Sequence, residues 1–118
     1  MAGGHRHPEG LPAPSGEGTV VLDVGGSRGA LVVFTPERLF GEEIEIRPAR
    51  GGWDGTHTAV RSRHLRDAVA YAGVFGSLPA GSYQVRIRGR GPDRPASDTT
   101  LDLKVDGGQV TEVHWPAA

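Results

Sequence analysis

The chain contains no cysteine and no asparagine, a single lysine (Lys104), and few aromatics: two Trp, two Tyr and three Phe in 118 residues. The absence of cysteine removes disulfides, thiolate nucleophiles and cysteine-based zinc or iron–sulfur sites. With so few rings, several of them needed for a core, a row of exposed aromatics of the kind that binds carbohydrate is hard to build. No apolar run approaches the roughly 20 residues that span a bilayer. The opening MAGGHRHPEGLPAPSGEG lacks the apolar stretch of a secretory signal, so a cytoplasmic location without membrane insertion is expected. Neither charge sign is in excess: 13 Lys+Arg face 14 Asp+Glu, a net charge of -1. No global field draws such a chain to nucleic acid, which is not an expected partner.

What is abundant is glycine and proline, 19 and 9 residues, placed between short alternating runs. The length suits one domain with one core. Residues 1–18 cannot bury enough apolar area to offset their ordering entropy and are expected to be a flexible arm before a domain at 19–116. The organising stretch is AYAGVFGSLPAGSYQVRI, residues 70–87. Tyr83, Val85 and Ile87 alternate with Gln84, Arg86 and Arg88, the period of a half-buried strand, and Leu78-Pro79-Ala80-Gly81 supplies a turn joining two strands as a hairpin.

Further strands are expected at 19–24 (TVVLDV) and 29–35 (GALVVFT), joined by a tight Gly25-Gly26-Ser27-Arg28 reversal. The unbroken LVVF run implies a strand covered on both faces. Residues 35–41 suggest one helical turn capped by Thr35. EEIEIR (42–47) alternates Ile44 and Ile46 against charge. Residues 49–56 form a loop carrying Trp53, and 57–62 (HTAVRS) form a weak strand. After a polar loop at 88–98, residues 99–105 and 109–115 read as a hairpin around Asp106-Gly107-Gly108. The sum is all-β: a single antiparallel β-sandwich of seven to eight strands.

GVFGSLPAGSYQVRI followed by LDLKVDGGQVTEVHW resembles the prealbumin-like sandwiches, namely the CnaB-type, carboxypeptidase regulatory-like and transthyretin-like domains. The resemblance covers about the last half of the chain and implies a fold, not an activity. The isopeptide bond of many CnaB domains needs an asparagine, which this chain lacks. The Tyr-Arg-Gly-Ser ending of hydroxyisourate hydrolases is replaced by His114-Trp115-Pro116-Ala117-Ala118.

No cofactor is implied, and no catalytic constellation stands out. Ser62, His64 and Asp67 are close in sequence, but residues two apart on a strand do not face each other, and no GxSxG elbow is present. His5, His7, His57, His64 and His114 are weak candidates for a zinc or copper site, most of them more simply read as solvated histidines. Arg86, Arg88, Arg90 and Arg94 gather near one strand end, either as a basic patch or as a solvated sheet face. Trp53, in a glycine-rich loop, either packs over the core or anchors a partner, as interface tryptophans do. Trp115 is either core or a C-terminal contact. The reading that follows is a non-catalytic interaction or accessory module, not an enzyme, that docks on a larger protein through its arm, loops and sheet edges. Its contact candidates are Leu11, Trp53, Arg86, Arg88 and Trp115. The alternatives are a histidine-based metal-binding protein and a small-ligand or carbohydrate-binding module.

Overall fold

Short alternating runs separated by glycine and proline can bury their apolar faces by stacking as two sheets. The computed structural model describes the backbone of Ala13–Pro14 and all of residues 21–116, and it is all-β with a two-sheet architecture. The strands in chain order are β1 (Ala13–Pro14), β2 (Arg28–Thr35), β3 (Glu43–Pro48), β4 (His57–Ala59), β5 (Arg61–His64), β6 (Val69–Pro79), β7 (Gly81–Ile87), β8 (Leu101–Val105) and β9 (Val110–His114). The first sheet has the order β5-β6-β2-β9, extended at the β5 edge by the two residues of β1; the second has the order β4-β3-β7-β8.

Between the sheets lies a core of Leu31, Val33, Leu39, Ile44, Ile46, Val60, Phe75, Leu78, Tyr83, Val85, Val105 and Trp115. The LVVF run is covered on both faces, as its composition implies: residues 29–33 are all buried, and β2 is flanked by β6 and β9.

Several expectations are corrected. The stretch at 70–87 is not a hairpin, because β6 belongs to the first sheet and β7 to the second. Its Leu-Pro-Ala-Gly corner is an arch between layers, and the Tyr83 hydroxyl donates to the Pro79 carbonyl at 2.5 Å to hold it. Asp106-Gly107-Gly108 is likewise an arch, from β8 to β9, with Gly108 at φ +74°. The chain returns from that arch alongside β2 in the same direction, so β2 and β9 are parallel and the sandwich is not wholly antiparallel. Residues 57–62 are not one strand. Buried Val60 is a switch point: its N–H donates to Glu42 O and its carbonyl accepts from Gly41 N–H, while β4 before it and β5 after it lie in different sheets.

Finally, residues 21–24 form no strand, although Asp23 N–H donates to Gly76 O on β6 and Gly25 bridges Arg28. Thr19, Val20 and the rest of the arm lie outside the described residues, apart from Ala13–Pro14, whose backbone pairs antiparallel with Arg63 and His64. The helical turn is a 3-10 turn at Glu37–Leu39 preceded by Pro36 and has no side-chain cap; the Thr35 hydroxyl donates to Pro36 O.

The two arches close on the Gly25–Arg28 reversal. Gly108 N–H donates to Arg28 O and Ala30 N–H to Gln109 O. A Cβ on Gly29 would collide with the Asp106 carbonyl and stand 2.8 Å from Val105 Cγ1, so backbone meets backbone there and only glycine fits.

Candidate functional site on the outer face of the second sheet

Strand alternation decides what this face carries. With Ile44, Ile46, Tyr83, Val85 and Val105 in the core, the intervening Glu43, Glu45, Arg47, Gln84, Arg86, Arg88, Asp102 and Lys104 point outward. Register then decides who meets whom. β3 pairs with β7 as Glu45↔Arg86 and Arg47↔Gln84, and β7 with β8 as Gln84↔Asp102. Arg86 Nε donates to Glu45 Oε1 at 2.9 Å, and that carboxylate is only 5% exposed. Arg88 donates to Glu43 Oε1 at 3.2 Å. Arg47 donates to Gln84 Oε1 from Nε at 3.0 Å and from Nη2 at 2.6 Å, and Gln84 Nε2 donates to Asp102 Oδ1 at 2.7 Å.

The loop after β7 folds back on the same edge. Arg94 and Arg90 stand 2.9 and 3.4 Å from the Glu42 carboxylate, and Arg90 also donates to Gly41 O. Arg86, Arg88, Arg90 and Arg94 are therefore all ion-paired, sharing the three carboxylates of Glu42, Glu43 and Glu45, which leaves one positive charge in excess.

Trp53 lies over this face. The Arg86 Cζ is 4.0 Å and the Arg47 Cζ 4.5 Å from its ring centroid, contacts worth about 0.5–1 kcal/mol each at an exposed site. The loop carrying it is tied down: Thr56 N–H and Oγ1 donate to Asp54 Oδ1 at 3.0 and 2.7 Å, and Ile46 N–H donates to Thr56 O. The Thr56 hydroxyl, and then its N–H, hold the Asp54 carboxyl below the usual carboxylate pKa. Trp53 is half-buried, so the ring is positioned yet accessible. A shallow hollow of about 520 Å³ runs along β7 and β8, lined by Ser82, Gln84, Asp102 and Lys104 among others.

Of the contact candidates named from sequence, Trp53 and Arg86 touch, and Arg88 is one ladder step away. Trp115 is 8% exposed and packs in the core, which removes it from the surface; it shares the inward parity of Val113. Leu11, His5 and His7 lie outside the described residues. The remaining histidines do not converge. His57 sits on β4, where Nδ1 lies 2.7 Å from the Gly55 carbonyl. Arg88 Nη1 lies 2.9 Å from the same Nδ1 and 3.3 Å from Nε2, and Nε2 is 3.7 Å from the Glu43 carboxylate. His64 is exposed at the β5 edge, and His114 stacks on Phe34 at 5.1 Å. Among the described residues no group of three or more His, Cys, Asp or Glu side chains could hold a metal ion.

A second hollow, of about 680 Å³, is lined by Glu37, Arg38, Phe40, Ser62 and Tyr71. Phe40 is exposed and meets Tyr71 edge-on at 6.0 Å. Ser62 lines the same hollow.

The residues that sequence reasoning missed are Arg47, Gln84 and Glu45. Their outward position was legible in EEIEIR and YQVRI, but their pairing depends on a register that neither segment encodes alone.

Fold and face together define a two-layered all-β module with a polar, networked outer face. Comparison with family models, with curated proteins and with solved structures gives no match. No helix among the described residues is long and apolar enough to cross a membrane.

Proposed function

We propose that this chain is a non-catalytic protein-interaction module, a sandwich of the prealbumin-like kind, that docks on a larger protein through the outer face of its second sheet. The observation that carries this reading is Trp53, half-buried and held flat over Arg47 and Arg86. A ring fixed before binding loses little entropy on contact, and preorganised aromatic and arginine side chains are the usual anchors of interfaces. The polar network around it supplies the rim. The described part of the N-terminal arm pairs with the chain's own β5, so the face, not the arm, is the favoured contact.

The test is capture from the native host. Trp53→Ala is expected to lose the partner that the wild-type chain captures, at a melting temperature lowered by only a few degrees. Glu112→Gln, an exposed change on β9 of the first sheet, is expected to retain it. Capture by Trp53→Ala at the wild-type level refutes the reading.

A further inference from the structure

On the outer face of the first sheet, register decides which charges can meet. Arg61 stands opposite Ala72 and Arg63 opposite Ala70, so both arginines share the outward side with those alanines. The other outward positions there on β6 and β2, Val74, Ala30 and Val32, are apolar. Glu112, on the same side of β9 opposite Val32, is separated from Arg63 by at least three strand spacings, about 14 Å. At the sheet edge Arg63 is paired with Pro14 and His64 with Ala13, neither of which can offer a counter-charge. Asp67 is exposed in the turn beyond β5.

Arg63 is nevertheless 4% exposed, and its Nε is buried without a hydrogen-bond partner. Burial and then Arg61 draw its pKa down, whereas a carboxylate within reach would push it up. A guanidinium does not escape this cost by losing its proton, and a buried charge left unmatched destabilises the fold. A water could satisfy Nε but would leave the charge unmatched.

We infer that Arg63 anchors a binding site for a small oxyanion, a phosphate or carboxylate group that accepts from its Nε–H. The planar fork of a guanidinium lets a second oxygen of the same group accept from a terminal nitrogen, and Arg61 beside it adds positive potential. The route in is the edge of β5, bordered by the two residues of β1, since so short a pairing opens at little cost. The site is on the opposite sheet from Trp53 and does not depend on docking there.

The test uses the full chain, with inorganic phosphate and acetate as probes and sodium chloride at matched ionic strength as comparator. The readout is the Arg63 Nε–H signal, assigned through its own side-chain connectivities. Phosphate or acetate is expected to move it saturably and sodium chloride not to, and whichever of the two binds more tightly names the group. A hydrogen bond to a charged group is worth a factor of about 10–100, so Arg63→Lys, which keeps the charge and loses the fork, is expected to weaken binding at least about tenfold. The tighter probe is also expected to raise the melting temperature of the wild type by linkage, and of Arg66→Gln, an exposed change in the turn beyond β5, to the same extent. It is expected not to raise that of Arg63→Met.

A wild-type signal that moves no further than with sodium chloride overturns the inference, whether or not a variant folds. So does a rise in melting temperature that persists in Arg63→Met. The third contrary result would come from Glu17, outside the described residues: an Arg63 Nε–H signal displaced by Glu17→Gln with no anion added would make the chain's own carboxylate the partner.

Discussion

The two sheets present opposite outer faces. On the first, Ala30, Val32 and Ala72 are fully buried although they point away from the core between the sheets. They share that side with Arg63, which is 4% exposed and whose Nε has no hydrogen-bond partner. Burial, and then neighbouring Arg61, pull its pKa down. On the second, the outward residues are charged, open and joined across four strands, with their one deeply buried charge, Glu45, paired to Arg86. The first is covered over Ala30, Val32, Ala72 and Arg63, whereas the second keeps most of its charged residues in contact with water. The wet face carries Trp53 positioned over Arg47 and Arg86, and for that reason the proposed docking is placed there.

The contrast can be broken or sharpened by substitution. The largest effect is expected at Leu31, fully buried between the layers: Leu31→Ala is expected to cost about 2–5 kcal/mol in urea unfolding, by lost transfer energy and a residual cavity. Glu45→Gln comes next, at about 1–3 kcal/mol, because it strands a partly buried guanidinium.

Tyr83→Phe is expected to cost about 0.5–1.5 kcal/mol through the lost bond to Pro79. It also tests a pH effect. Burial raises the Tyr83 pKa, with Arg28 opposing. The folded state therefore holds the phenolic proton more tightly, so this contribution is complete below the unfolded pKa near 10 and declines as pH rises through the higher folded value. Alkaline unfolding that begins at the same pH in Tyr83→Phe and in the wild type would contradict this.

Smaller still is Arg63→Met. Replacing a poorly satisfied buried cation by an apolar chain of similar volume is expected to leave stability within about 1 kcal/mol or raise it, the opposite of the loss at Glu45. A loss as large as that of Glu45→Gln would show that Arg63 is paired after all. Glu43→Gln, in a half-exposed pair, is expected to change stability by less than about 0.5 kcal/mol.

Much of the layering was legible in the chain itself. The run at 31–34 announced a strand covered on both sides, because no polar residue interrupts it to face water. EEIEIR and YQVRI announced half-wet strands by their parity. The arches were not legible. Leu78-Pro79-Ala80-Gly81 and Asp106-Gly107-Gly108 have the backbone chemistry of a reversal whether the next strand pairs with the last one or crosses to the other sheet, and only packing decides. The switch at Val60 was hidden for a related reason: HTAVRS carries a single strand-like pattern, and nothing local says that its two halves pair with different partners. The site was half visible. Trp53 and Arg86 were named, but Arg47 was not, since its role arises from a diagonal across β3 and β7.

The most direct measurement is chemical-shift mapping of the isotopically labelled chain against the partner it captures from its host. Docking by the second sheet predicts that the largest changes fall on the Trp53 indole, Arg47, Gln84 and Lys104, with β2, β6 and β9 quiet. Changes concentrated on the first sheet or on the Phe40–Tyr71 hollow, with Trp53 unmoved, would contradict it.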